Sequence, residues 1–234
     1  MSKLLIITGG SKGIGRAIAE TFSAHGFDVA VSARNPADLQ QLKSEVEKRY
    51  HNVIHVFSGD MATAEGVKLF GDFILGQNKK IDVLVNNAGY YVPGELCTEP
   101  DGTLEKMLNA NTFSAYHMTR CLAPSMKQFQ DGHIFNICSV ASIKAYPNGG
   151  SYAISKSALL GFSRCLREEL KPFNIRVTAI MPGATRTSSW EDSELPDERF
   201  MKPEDVAESI FAAYSLSKRS VVEEIIIRPQ LGDI

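Results

Sequence analysis

A tyrosine and a lysine four residues apart, Tyr152 and Lys156 in SYAISK, are the residues best suited to chemistry in this sequence. At helical spacing the two side chains share one face and lie side by side. A free tyrosine has a pKa near 10, and a neighbouring ammonium favours the phenolate and lowers that pKa. Tyr152 can then exchange a proton with a hydroxyl group at neutral pH. A pair of this kind usually lies on an exposed helix surface without a function. Whether this pair is functional therefore depends on the surrounding sequence.

Two polar residues complete a possible site around this pair. Ser139 follows the predicted strand His133–Cys138, and its hydroxyl can hydrogen-bond an oxygen on which charge develops. Asn111, in NANTF, lies within the predicted helix Thr103–Met126, where we expect it to hold a water that links Lys156 to solvent. A positively charged cofactor ring would lower the pKa of Tyr152 further. The four residues describe a site that interconverts a carbonyl and an alcohol.

A glycine-rich loop follows the first apolar run, in TGGSKGIGR at residues 8–16. Gly9, Gly13 and Gly15 allow a tight turn and the close approach of a pyrophosphate to the start of the next helix. Their spacing, GxxxGxG, is a variant of the dinucleotide pattern GxGxxG. A P-loop is disfavoured because Arg16 and Ala17 stand where its lysine and hydroxyl belong. A glycine-rich turn without a ligand stays open on this pattern alone.

The second predicted strand favours NADP(H) over NAD(H). It ends in VSARN, so that Ser32 and Arg34 stand where an NAD-binding fold commonly has an acidic residue. Lys12 in the glycine loop adds a second cation, and two convergent cations suit a phosphate. The alternative is that both are surface cations without a ligand.

Short β-branched runs alternate with helical patterns along the whole chain and predict the α/β class. We expect strands at Lys3–Thr8, Asp28–Ser32, Val53–Ser58, Ile81–Asn86, His133–Cys138, Ile175–Ile180 and Val222–Ile227. Helices are expected at Ile14–His25, Pro36–Arg49, Thr63–Leu75, Thr103–Met126, Tyr152–Leu170 and Pro203–Tyr214. The alternation indicates one doubly wound Rossmann domain over residues 1–234, with about seven parallel strands and helices on both faces. Ligands of such sheets bind beyond the carboxyl ends of the strands.

Composition limits the partners and the compartment. The net charge is −2 over 234 residues, and the Lys and Arg residues are scattered, which argues against nucleic acid and anionic membranes. The four cysteines form no CxxC pair, as expected of thiols in a reducing cytoplasm. We find no signal peptide and no run long enough to span a membrane, and we expect a cytoplasmic protein. His51 and His55 fall at a helix end running into a strand, where four residues span roughly 13 Å, so no metal is expected.

Taken together, these motifs resemble the short-chain dehydrogenases/reductases over essentially the whole chain. The resemblance rests on TGGSKGIG, NNAG at residues 86–89, Asn111, Ser139, the Tyr152–Lys156 pair and PGATRT at residues 182–187. It implies that Asp60 contacts the adenine, that Asn86 and its turn brace the cofactor and the sheet, and that Thr187 holds the nicotinamide carboxamide. The full set implied for the cofactor is Gly9, Ser11, Lys12, Gly13, Ile14, Gly15, Ser32, Arg34, Asp60, Asn86, Ala88, Gly89, Tyr152, Lys156, Pro182, Gly183, Thr185 and Thr187. Thr185 departs from the family, which usually has an aliphatic residue there.

The substrate is less well defined by the sequence. Residues 188–202 are expected to form a flap, and Tyr90, Tyr91, Tyr146 and Trp190 to line the substrate pocket, although each also suits core packing or surface. The ending VVEEIIIRPQLGDI is similar to bacterial sepiapterin-reductase-like and small carbonyl-reductase members, so a reductase of a small ketone or aldehyde is favoured. Reduction of a 3-oxoacyl-[acyl-carrier-protein] is the alternative, and a non-catalytic NADP-binding sensor a lower one. The family also implies a homodimer or homotetramer.

Overall fold

Seven parallel strands form one sheet in the computed structural model, which describes residues 2–191 and 193–234. The strands are β1 (Lys3–Thr8), β2 (Phe27–Ala33), β3 (Ile54–Ser58), β4 (Val83–Asn86), β5 (Gly132–Ile137), β6 (Ile175–Pro182) and β7 (Glu224–Ile227). Their order is β3-β2-β1-β4-β5-β6-β7, and all neighbours are parallel. The predicted Rossmann fold is confirmed, with strand ends within two residues of those expected.

The helices follow the predicted pattern with one interruption. They are α1 (Gly13–Ala24), α2 (Pro36–Tyr50), α3 (Ala64–Leu75), α4 (Thr103–Leu108), α5 (Ser114–Phe129), α6 (Gly150–Leu170) and α7 (Pro203–Ser215). A π-helical turn, Asn109–Phe113, joins α4 to α5, whereas the sequence predicts one regular helix over Thr103–Met126. Such turns are rare, often lie at functional sites and are not encoded by helical periodicity.

Both faces of the sheet are covered because alternate residues of each central strand face opposite sides. On one face, side chains such as Leu5 and Ile7 pack against α1, α2 and α7. On the other, Leu4 and Ile6 pack against α3, α5 and α6. A strand between two helical layers must be apolar throughout, which explains the run LLII. In the described ranges, no helix combines the length and hydropathy that a membrane span requires.

The strand order reverses between β1 and β4, so the loops at their carboxyl ends diverge and leave a crevice. Thr8, the last residue of β1, holds the two loops together: its Oγ1 accepts hydrogen bonds from the backbone N–H of Asn87 and of Ala88, both at 3.0 Å. The Asn87 amide donates back to the carbonyl of Gly9 at 2.7 Å. The glycine loop is therefore anchored to the end of β4.

Candidate active site

A cavity of about 920 Å³ lies at the carboxyl edge of the sheet. Its wall is built from the glycine loop, the ends of β2 and β4, the segment around Ser139, the first turns of α6 and the loop after β6. Most of the predicted site residues line it: Gly9, Ser11, Lys12, Gly13, Ile14, Gly15, Arg34, Asp60, Ala88, Gly89, Tyr90, Tyr91, Ser139, Tyr146, Tyr152, Lys156, Pro182, Gly183, Thr185, Thr187 and Trp190. The topology thus brings residues from distant segments of the sequence to one crevice.

Two predicted cofactor residues are not on this wall. Ser32 is fully buried within β2, and the cavity is lined instead by its successors Ala33 and Arg34. Asn86 is also buried, and its amide donates to Thr119 and Asn136 at 3.0 and 2.8 Å. Asn86 therefore braces the sheet, as expected, but it does not face the cofactor crevice. Side chains alternate along a strand, so one position decides which residue faces the crevice.

The glycine loop fits a bound pyrophosphate. Gly9 has φ +67°, a left-handed conformation that favours glycine. A Cβ on Gly15 would lie 2.6 Å from both the Asn87 amide nitrogen and the Gly9 carbonyl, so no side chain fits there. No described side chain caps the start of α1 at Lys12. Gly13, Ile14 and Gly15 of this helix end line the cavity, where an anion would satisfy N–H groups of the first turn.

Arg34 and Lys12 lie at the β2 end of the cavity with Asp38. Arg34 is exposed and forms no ion pair within the described residues. Lys12 is paired with Asp38 at 3.0 Å, an interaction that the sequence reasoning did not consider. Arg34 therefore provides the less compensated of the two positive charges at this end.

Tyr152 and Ser139 both line the cavity. Burial raises the pKa of Tyr152, and the nearby Ser139 hydroxyl opposes the rise. The Lys156 ammonium lies 5.8 Å from the Tyr152 ring centre and donates to the Ile137 carbonyl at 2.7 Å. Burial outweighs the other contributions to the pKa of Tyr152 here. The predicted lowering, which involves the cofactor ring together with Lys156, stays a prediction.

Asn111 lies behind the cavity wall at the π-helical turn. Its Oδ1 accepts from the Tyr90 N–H at 2.9 Å, and its Nδ2 donates to the Tyr90 carbonyl and to Ser155 at 3.1 and 2.9 Å. Both Nδ2 hydrogens are engaged in these contacts, while Oδ1 keeps a second lone pair. Asn111 positions the backbone that carries Tyr90, and the water it is expected to hold stays a prediction.

The substrate end of the cavity is aromatic. The Tyr91 and Tyr152 rings meet edge to face at 4.9 Å, and the Tyr91 hydroxyl donates to the Asn148 carbonyl at 3.3 Å. Trp190 lies in a 3₁₀ turn of the expected flap, 5.4 Å from the ring of Phe200. Arg186 ties this loop together through Asp197 at 2.9 Å and the Trp190 carbonyl at 2.7 Å. The flap prediction covers residues 188–202, of which Asp192 lies outside the described residues.

A family model described as short chain dehydrogenase matches residues 3–197. The chain belongs to this family. Membership makes it an oxidoreductase, and the predicted resemblance is confirmed. Sepiapterin reductase from Chlorobaculum tepidum is 34% identical to the chain, with 100% of the chain and 99% of that protein covered.

Solved structures of an alcohol dehydrogenase and of L-sorbose reductase are similar to the chain over nearly its full length. An alcohol dehydrogenase from Thermococcus sibiricus, complexed with 5-hydroxy-NADP, has a TM-score of 0.92 at 27% identity and covers 98% of this chain and 97% of its own. L-sorbose reductase from Gluconobacter frateurii, complexed with NADPH and L-sorbose, has a TM-score of 0.89 at 26% identity and covers 97% and 95%.

The sequence reasoning missed three supporting residues of this short-chain dehydrogenase. Thr8 and Asn87 join the two loops of the crevice, as described above. The Ser142 hydroxyl accepts a hydrogen bond from the Ser139 N–H at 3.2 Å and donates one to the Lys156 carbonyl at 2.9 Å. It therefore ties the Ser139 segment to α6. The motif S-x-x-S at residues 139–142 is a signal for such a cap and was available in the sequence.

Replacing Lys156 by Met is expected to stabilise the fold at pH 7. Burial lowers the pKa of Lys156 from 10.5 to about 8, which corresponds to a destabilisation of about 3 kcal/mol while the amine is charged. Because the folded pKa lies below the unfolded one, this cost is fully present below about pH 8 and is relieved as pH rises towards 10.5. Losing the bond to Ile137 costs about 1 kcal/mol, leaving a net gain of about 2 kcal/mol at pH 7.

Urea denaturation of both proteins at pH 7 and pH 9.5 measures this gain, which should largely disappear at the higher pH. The matched control is Lys68→Met, which removes an exposed lysine paired with Asp72 on α3. If Lys156→Met raised the free energy of unfolding equally at both pH values, the lowered pKa of Lys156 would not be the cause of the gain.

Proposed function

We propose that the chain is an NADP(H)-dependent reductase that interconverts a small ketone or aldehyde and its alcohol. The observation that carries the proposal is the convergence of the Ser139 and Tyr152 side chains on the wall of the crevice, with the buried Lys156 ammonium 5.8 Å from the tyrosine ring centre. A hydroxyl and a phenol that meet this way can both bind one carbonyl oxygen. A sepiapterin or small carbonyl substrate is the finer part of the proposal.

The cofactor prediction agrees with the comparisons, since the two solved relatives described above contain NADP or a derivative of it. In this chain we assign the pyrophosphate to the glycine loop and the free N–H groups of α1. Arg34, with Lys12, is suited to the additional phosphate of NADP because it lies exposed at the end of β2. Thr187 lies against the loop, with its Cγ2 3.0 Å from the position of a Gly13 Cβ.

When bound, NADPH supplies the hydride for the carbonyl carbon. Tyr152 gives its proton to the carbonyl oxygen, and the Ser139 hydroxyl hydrogen-bonds the same oxygen as negative charge develops on it. Because burial raises the pKa of Tyr152, the phenol is protonated at neutral pH and ready for the reduction direction. The Lys156 ammonium then stabilises the phenolate that remains.

Two further contacts position the proton donor. Ser155 on α6 hydrogen-bonds Asn111, and Ser142 binds the Lys156 carbonyl, so α6 is tied both to the π-helical turn and to the Ser139 segment. The distance between Tyr152 and a substrate oxygen is therefore set by parts of the chain that are held to one another.

NADPH consumption against a panel of carbonyl compounds tests this function. The panel holds a vicinal diketone, an aromatic aldehyde, sepiapterin and a β-ketoacyl thioester, with NADH run in parallel. Turnover of the diketone or the pterin without the thioester supports the proposal. Turnover of the thioester alone would favour the 3-oxoacyl alternative, and tight NADPH binding without any turnover would favour the sensor.

Assembly and location stay predictions. The family resemblance implies assembly through the fourth and fifth predicted helices, Thr103–Met126 and Tyr152–Leu170. Phe113 and Ile154 in these segments are 46% and 40% exposed, which supports a homodimer or homotetramer. Gel filtration with light scattering measures the assembly directly. A cytoplasmic location rests on the composition described above.

A further inference from the structure

The last residues of the chain lie against the substrate end of the cavity. The tail, residues 228–234, directly follows β7, and Asp233 and Ile234 line the cavity wall. Pro229 packs beside Gly183, where a Cβ would lie 3.0 Å from the proline Cδ. Gly232, at φ +85°, turns the tail back, and its N–H donates to the Pro229 carbonyl at 2.9 Å. The turn directs Asp233 towards the segment that precedes α6.

Asp233 forms a junction with Lys144, Tyr146 and Arg228. Its Oδ2 accepts from the Tyr146 hydroxyl at 2.5 Å and from the Lys144 ammonium at 3.3 Å, and its Oδ1 accepts from Arg228 at 3.0 Å. Both carboxylate oxygens are thus engaged, and the single negative charge faces two cations. The hydrogen bond to Tyr146 is the largest of the influences that hold the pKa of Asp233 below its usual value. The carboxylate is therefore ionised throughout the neutral range.

The junction connects segments that are distant in sequence. Tyr146 lies between the two predicted catalytic residues Ser139 and Tyr152, and it lines the cavity itself. The flap is also attached, because Arg199 donates to the Asp233 carbonyl at 3.4 Å. One residue thus links the segment before α6, the tail and the flap, all at the substrate end.

We propose that Asp233 is a positioning residue for substrate specificity, which holds the tail as a wall and so excludes bulky carbonyl compounds. The proposal rests on the proposed reductase function. Asp233 acts without contacting the substrate, because its carboxylate is already engaged by the three side chains of the junction. The wall is formed by Ile234 and by the Tyr146 ring that Asp233 keeps in place.

The test compares two vicinal diketones of different size, 2,3-butanedione and 1-phenyl-1,2-propanedione, with NADPH. Asp233→Asn keeps the shape of the side chain and removes its charge. We expect the ratio of kcat/KM for the bulky over the small diketone to rise about tenfold, which is within the range that a few pocket contacts control. Ile234→Ala should shift the ratio in the same direction, since it shortens the wall without breaking the junction. The control Asp72→Asn, which breaks the exposed pair with Lys68, should leave the ratio unchanged.

Hydrogen exchange measured by mass spectrometry gives a second readout that needs no turnover. In Asp233→Asn, residues 143–149 and the tail should exchange faster together, while α2 stays as in the unmodified chain. An equal loss of kcat/KM for both diketones, or a rise in KM for both without a change in exchange, would overturn the proposal. If the unmodified chain reduces no carbonyl compound, the proposed function fails and the specificity role fails with it, whereas the exchange data still show whether Asp233 holds the tail.

Discussion

Replacing Tyr152 by Phe is expected to lower kcat by about a thousandfold, because the reaction then lacks its proton donor. The ring remains, so its edge-to-face contact with Tyr91 and the shape of the cavity are retained. The dissociation constant of NADPH, measured by fluorescence titration, should change by less than about twofold, because the glycine loop and Arg34 are untouched. Stopped-flow measurement of NADPH oxidation with the best carbonyl of the panel gives kcat.

The matched control is Tyr116→Phe on α5, which removes a hydroxyl that accepts a hydrogen bond from Arg120 at 2.6 Å. This variant should retain the activity of the unmodified chain. If Tyr152→Phe kept more than about a tenth of kcat, proton transfer by Tyr152 would not be part of the rate-limiting chemistry, and the proposed mechanism would be wrong.

Replacing Arg34 by Leu is expected to weaken NADPH binding by about 10- to 100-fold, because a charged hydrogen bond to a phosphate contributes about 1.5–3 kcal/mol. NADH lacks that phosphate, so its dissociation constant should stay within about twofold. The preference between the two cofactors is measured from titrations of each at constant ionic strength, since the interaction of an exposed arginine is screened by salt.

Asp38 offers a variant with the opposite effect. Its carboxylate pairs with Lys12 and lies on the same wall as Arg34. Asp38→Asn should therefore tighten NADPH binding several-fold while NADH changes little, since it removes a negative charge near the phosphate. Arg49→Leu, an exposed change at the far end of α2, is the control for loss of positive charge. Equal changes for both cofactors in Arg34→Leu would place Arg34 away from the phosphate.

The fold was predictable because its signals are local. Apolar runs such as LLII and the helical repeats between them reveal the position and approximate ends of each strand along the chain, and parallel sheets require that alternation. The glycine loop was equally visible, because the order of glycines along the chain determines which backbone groups can approach a ligand. The Tyr152–Lys156 pair could be placed on one helical face from spacing alone.

Other features of the site depend on contacts between distant segments. Ser32 and Asn86 lie near the ends of the correct strands, but the direction of each side chain depends on how the neighbouring strands and helices pack, and Arg34 and Asn87 reach the crevice instead. Asn111 holds the Tyr90 backbone through its amide, at a π-helical turn that the sequence did not predict. Helical periodicity contains no information about that turn.

The sequence by itself determined which residues of the site occur and in what order along the chain: a phosphate loop first, a cation after the second strand, then Ser139, Tyr152 and Lys156. Only the tertiary structure determined the pKa values of the site residues and the contacts that hold the tail against the substrate end. Burial, which sets the pKa of Tyr152 and Lys156, arises from packing of several elements together. Likewise Asp233 meets Tyr146 across 87 positions of the sequence, a contact made only when the tail folds back against the start of α6.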